Sequence, residues 1–133
     1  MSGRLIAPGQ VRGPALILDE PLSLWGGLDP STGQVIEPRH PQDGAVVTGR
    51  VLVMPAARGS SSSASVLAEA VRAGTAPAGI VLGETDLILA LGAAVAEELY
   101  GTQLPIVVMP PAELAAIIDG AMVEIGPEGV SAV

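Results

Sequence analysis

The sequence predicts a single α/β domain built on a largely parallel sheet, and three observations predict it. Short, unbroken apolar runs recur at residues 51–54, 79–82 and 105–109. Proline or glycine bounds each of them, as expected of strands buried on both faces. Between these runs, apolar residues repeat at helical spacing. Finally, the 133 residues contain no internal repeat and no stretch long enough to link two domains.

The first half reads as strands and turns. Residues 4–7 make a short strand, and residues 13–18 (GPALIL) a stronger one closed by Asp19, Glu20 and Pro21. Residues 21–33 (PLSLWGGLDPSTG) are dense in turn formers. Residues 34–37 suit a strand that Pro38 and Pro41 end, and residues 50–54 a buried one stopped by Pro55.

The second half alternates. Val66, Leu67, Ala70 and Val71 define a helix running to Gly74, followed by a strand at residues 79–82. Thr85 or Asp86 caps a second helix expected to bury Leu87, Leu91, Val95 and Leu99 and to stop at Gly101. The strand at 105–109 precedes a short helix opened by Pro110 and Pro111, using Leu114, Ile117 and Ile118. Asp119 and Gly120 turn the chain into a last strand at 121–125. The tail at residues 127–133 is expected to be loose, apart from a small strand at Val130. The order predicts one domain, residues 1–133, with a parallel β/α half and an extra β layer built mostly from the N-terminal half.

Composition narrows function. There is no cysteine, which excludes disulfides and thiolate chemistry within this chain, and a single histidine makes a self-contained zinc site unfavourable. Net charge is −8 and the six basic residues, all arginine, are scattered, which argues against nucleic acid. No signal peptide or membrane span is evident, so the expectation is a soluble, cytoplasmic protein. Apolar residues make up 49% of the chain although it has no Phe, one Trp and one Tyr. Either the core is alanine-rich or an apolar patch is left for a partner.

Two stretches are candidates for chemistry. Residues 55–65 read PAARGSSSSAS, between a buried strand and a helix. Serine clusters are commonly loops or helix caps. Here, however, a strand ends just before the motif, a helix begins within it, Gly59 permits a sharp turn and Arg58 carries a permanent charge. Carboxyl ends of strands and amino ends of helices are where anions gather. The motif is neither a Walker loop nor a nucleophile elbow. The second stretch holds Trp25, Gly26 and Gly27, either a glycine-bearing loop with a packing tryptophan or the wall of a pocket. Asp29 reads as a turn residue, His40 as a loop histidine, Glu84 and Asp86 as capping and surface charges, and Glu97 and Glu98 as a solvated helix face.

Together these stretches carry a resemblance. PLSLWGGLDPSTG, Arg58-Gly59-Ser60 after an apolar strand, GIVLGETDLILALGAAVAEELYG and the PIVV strand from Pro105 are similar to the small subunit, or swivelling domain, of aconitase X; the likeness runs from Gly13 to about Ile118. The resemblance implies a swivelling β/β/α domain like the last domain of aconitases. It implies a large catalytic subunit as partner in a heterodimer, with an iron–sulfur cluster held by that partner and no cofactor in this chain. It also implies a hydro-lyase acting on a small hydroxy acid: cis-3-hydroxy-L-proline in bacterial members, mevalonate 5-phosphate in archaeal ones. An arginine-rich, lysine-free composition favours the bacterial substrate.

The resemblance assigns the proton acceptor to Ser60, with Ser61 and Ser62 as alternatives because the row of four serines leaves the register open. Arg58, Gly59, Ser61 and Ser62 are then expected to hold the substrate, and Trp25, Gly26 and Gly27 to close the pocket. Dehydration needs a base for a C–H proton and an electrophile for the hydroxyl. A serine serves as base only where its alkoxide is stabilised, and a helix start beside an arginine offers that. The electrophile would be the cluster's iron, acting as a Lewis acid. Without cysteine this chain cannot hold such a cluster in the usual way, so it is expected to be inactive without its partner. The rivals are a carrier or scaffolding module. Swivelling domains also serve as phosphohistidine carriers, but His40 lies between Arg39 and Pro41 rather than at a helix start.

Overall fold

The structure, a computed structural model, describes residues 3–133. Its elements are β1 (Arg4–Ala7), β2 (Val11–Ile17), β3 (Leu22–Ser23), α1 (Leu24–Gly27), β4 (Leu28–Asp29), β5 (Gln34–Val35), β6 (Val51–Met54), β7 (Ala57–Arg58), α2 (Ser62–Ala73), β8 (Gly79–Leu82), α3 (Leu87–Tyr100), β9 (Ile106–Val108), α4 (Pro111–Leu114), β10 (Met122–Gly126) and β11 (Gly129–Ala132). Seven strands form one sheet in the order β1-β9-β8-β6-β2-β10-β11. Its centre, β9-β8-β6-β2, is parallel, while β1, β10 and β11 join antiparallel at the edges.

The central strands are buried on both faces, as their unbroken apolar runs require. Leu52, Met54, Ile80, Leu82 and Ile106 point to one core, which they share with Leu67 of α2 and Leu89 of α3. Val51, Val53, Val81 and Val107 point to the other, with Ile117, Val123, Ile125 and Val130. The first core also takes in Leu22, Leu24, Leu28, Val35 and Val47. The segment between β2 and β6 therefore lies on the same face as α2 and α3.

Several expectations change. The N-terminal half does not form a separate β layer. β2 enters the main sheet between β6 and β10, because Ala15 and Leu16 are both buried, on opposite faces. What remains is two small ribbons, β3-β7 and β4-β5. The tail is not loose: Gly129–Ala132 pairs antiparallel with Met122–Gly126, and burial of Val130 anchors it.

The largest correction concerns α3. Its boundaries match the expectation. Asp86 is the N-cap, its Oδ1 accepting the Leu89 N–H at 2.8 Å, and Gly101 closes the helix in the left-handed conformation. Its buried face is Leu89, Gly92, Ala93 and Ala96, whereas Leu87, Leu91, Val95 and Leu99 face outward. Small residues win the inner face because α3 lies close to α2. A Cβ on Gly92 would stand 2.9 Å from the Ala64 carbonyl oxygen. α4 is shorter than expected and ends at Leu114, before Ile117 and Ile118; Leu114 and Ile117 pack inward as expected, but Ile118 is exposed.

Candidate active site

The site is built where β6 ends. After Pro55 the chain forms β7, which pairs parallel with β3 so that Ser23 stands opposite Arg58. This short ribbon ties the tryptophan segment to the serine segment. At Gly59 φ is +105°, and a side chain there would strike the Ser23 hydroxyl. Only glycine fits that turn with its neighbour so close.

The four serines have different environments. Ser60 is exposed, and its Oγ accepts the Ser62 N–H at 3.3 Å. Its carbonyl accepts from Ser63 N–H at 3.0 Å, and the Ser61 carbonyl accepts from Ala64 N–H at 3.1 Å. The N–H groups of Ser60 and Ser61 find no acceptor among the described residues. An exposed hydroxyl thus sits beside two unsatisfied donors at the amino end of a 12-residue helix, where the dipole adds positive potential. Arg58 is exposed at the same turn; the ion pairs among the described residues are instead Arg12 with Glu124 and Arg72 with Glu69.

Ser63 is the buried member of the row, and its Oγ accepts the Trp25 N–H at 3.2 Å. The Ser23 hydroxyl donates to the Trp25 carbonyl at 3.0 Å. The Trp25 backbone is therefore held at both ends while its side chain stays outside, at 61% exposure. Trp25 is not a core residue, contrary to the packing alternative. Gly26 turns the chain at φ +82° with open space around it, and Gly27 packs on Leu22.

The structure therefore brings Arg58, Gly59, Ser60, Ser61 and Ser62 into one turn and fastens Trp25 and Gly26 beside it. Sequence reasoning missed the supporting pair, Ser23 and Ser63. A signal for Ser63 existed: it stands three and four residues before Val66 and Leu67, on the stripe that α2 buries.

The other candidates are structural. Asp29 accepts from both the N–H and the hydroxyl of Ser31, at 2.9 and 2.6 Å. The Ser31 hydroxyl, then its N–H, hold the Asp29 carboxyl below its ordinary value, so it is a turn residue. His40 is buried; its Nδ1 accepts the Gln42 N–H at 3.0 Å, so Nε2 is the protonated nitrogen and donates to the Glu20 carbonyl at 2.9 Å. With both ring nitrogens engaged, it does not resemble a phosphoryl carrier. Glu97 bonds Gln103, and Glu98 is exposed on α3.

An iron–sulfur cluster does not fit this chain. There is no cysteine, and no group of three or more His, Asp or Glu side chains among the described residues is placed to hold a metal. Nor is any helix of the described residues long and apolar enough to cross a membrane.

A family model described as the aconitase X swivel domain matches residues 1–132. This chain belongs to that family. It is 48% identical over 103 residues to a cis-3-hydroxy-L-proline dehydratase of Pseudomonas aeruginosa, which covers 77% of this chain but 18% of that protein. A relative of the same name from Hypocrea jecorina is 34% identical over 131 residues, 98% of this chain and 22% of that one. The chain thus spans about a fifth of the length of these two curated relatives. It is 37% identical over 119 residues to a phosphomevalonate dehydratase small subunit of Methanothermobacter thermautotrophicus, covering 90% of this chain and 86% of that one. Among solved structures, the holo-form aconitase X of Thermococcus kodakaraensis superposes with a TM-score of 0.89 at 28% identity, over 99% of this chain and 96% of that one. The α/β swivel fold expected from the sequence is the fold observed.

Proposed function

We propose that this chain is the small, swivel-domain part of an aconitase X-type hydro-lyase and supplies one side of its active site. The observation that carries the reading is the serine turn: an exposed Ser60 hydroxyl, two unsatisfied amides and Arg58 in one place. The names of the relatives, dehydratases and a dehydratase small subunit, give the reaction class.

In this reading the Ser60 oxygen, as an alkoxide stabilised by the helix amino end and Arg58, takes the proton from a substrate carbon. The C–H electron pair becomes the new C=C bond, and the hydroxyl on the neighbouring carbon departs with its own bonding pair. Positive potential lowers the cost of the alkoxide without placing a competing acid beside it. Arg58 and the Ser60 and Ser61 amides grip the substrate carboxylate, with Gly59, Ser61 and Ser62 shaping the floor. Trp25, on its Gly26–Gly27 turn, covers the pocket from one side and limits water. Activation of the departing hydroxyl falls to the large subunit, since this chain has no cysteine and no metal-holding group of His, Asp or Glu among its described residues. The favoured substrate is cis-3-hydroxy-L-proline, in line with the relative of that name that is 48% identical over 103 residues, and mevalonate 5-phosphate is next, since a phosphomevalonate dehydratase small subunit is also 48% identical, over 82 residues.

The test is reconstitution with the large subunit and an assay on both substrates. The account expects turnover of one of them by the complex and none by this chain alone, with a raised KM in the Arg58→Ala complex. An assembled complex that dehydrates neither substrate, or turnover by the isolated chain, contradicts it.

A further inference from the structure

The outer face of α3 has no role in this domain's core. Leu87, Leu91, Val95 and Leu99 are 74%, 56%, 36% and 64% exposed, and Tyr100 beside them 41%. These residues recur every four positions, so they form one stripe along a 14-residue helix. In a chain of net charge −8, Glu98 is the charged side chain most exposed along that stripe. A monomer gains nothing by keeping so much aliphatic surface in water. The helix is already anchored through its other side, by Leu89, Gly92, Ala93 and Ala96.

The position of the stripe indicates its occupant. Leu91, Val95 and Tyr100 form one wall of a groove whose other wall, on the α2 side, runs from Ser61 through Ser65 and Ala68 to the charged Glu69. The groove therefore opens directly onto the serine turn. Exposed Trp25, its backbone fastened through Ser63, stands beside the same turn. Exposed apolar side chains thus adjoin the polar turn, Leu91 and Val95 in the groove and Trp25 next to Ser63, which is the layout of a polar site meant to be covered. In the two dehydratase relatives of which this domain matches about a fifth, several hundred further residues share the chain with it and must contact it somewhere.

We propose that the outer face of α3 is the docking surface for the large subunit, and that contact there brings the rest of the active site over Ser60. This rests on the functional reading above. A standard stable interface takes about 800 Å² from each partner, so the proposed contact continues from the stripe across the serine turn to Trp25. Within it, Leu91 and Leu99 are the anchoring side chains, and a charge at either leaves an unpaired ion in a desolvated patch.

The test uses the co-expressed complex. Leu91→Glu and Leu99→Glu are each expected to weaken association with the large subunit at least tenfold by titration. Because both positions are exposed, each variant should melt within a few degrees of the parent chain. Ser60→Ala is the control and should associate normally. If either glutamate variant folds and binds the large subunit with parental affinity, the proposal is overturned, whatever the activity of the complex. If the glutamate variants only convert a self-associated form of this chain to monomer, the occupant is a second copy and the proposal fails. If the parent chain does not bind the large subunit at all, the functional reading fails with it, a result distinct from either of the others.

Discussion

The two long helices lie side by side on one face of the sheet, yet their surfaces follow opposite rules. In α2 the large apolar residues, Val66 and Leu67, are inside, and Ser65, Glu69 and Arg72 are outside. In α3 small residues are inside, Gly92, Ala93 and Ala96 with Leu89, and the large ones are outside. α2 follows the pattern of a helix on a finished surface. α3 has the surface of an unfinished one: at Gly92 the space against Ala64 of α2 is too narrow for a side chain, and Leu87, Leu91 and Leu99 stay exposed. A helix with apolar residues on two sides signals burial on both, and on the docking proposal above the outer side is covered by the large subunit.

Three substitutions test this contrast, from the largest expected effect to the smallest. Leu67 is completely buried between α2 and the sheet. Leu67→Ala should cost about 2–5 kcal/mol in urea unfolding, through lost transfer energy and a cavity. A cost near zero would mean that α2 does not close the core. Asp86→Ala removes the cap of α3 and should cost about 1 kcal/mol, read as a shift in the same unfolding midpoint. No shift would mean that the amino end of α3 is held by other contacts. Leu91→Ala, on the outer stripe, should change the stability of the isolated chain by less than about 0.5 kcal/mol. A loss comparable to that of Leu67→Ala would place Leu91 in the domain's own core and remove the difference between the helices.

The same contrast explains what the sequence could reveal. Central strands were legible because unbroken aliphatic runs between glycine and proline have one physical use, and the α2 stripe was legible because polar residues mark its outer side. In α3 periodicity was present but ambiguous: Leu87, Leu91, Val95 and Leu99 form one stripe and Leu89, Gly92, Ala93 and Ala96 another, and hydropathy favours the larger residues. The deciding term was the distance to Ala64, a tertiary fact. Val130 read as a small strand, but the pairing of the tail depends on a partner strand, β10, that a tail's composition does not reveal.

At the site, the turn of Arg58, Gly59 and Ser60 was legible from its setting between strand and helix. The coupling to Trp25 was not. It runs through Ser23 and Ser63, 40 positions apart in sequence and brought together by the β3–β7 ribbon and the bond from Trp25 to Ser63. A hydroxyl side chain by itself carries no sign of whether it is buried and supporting or exposed and reactive; only the spacing of Ser63 to Val66 and Leu67 hinted at it. Burial separates them here, with Ser63 inside and Ser60 outside.

The central claim is that the oxygen at position 60 receives the substrate's proton. It is tested most directly by kcat of the Ser60→Ala complex, measured together with its affinity for the large subunit. The account predicts a fall in kcat of about a hundredfold or more, the scale of losing a positioned proton acceptor, with unchanged affinity. Turnover close to that of the parent complex would contradict it.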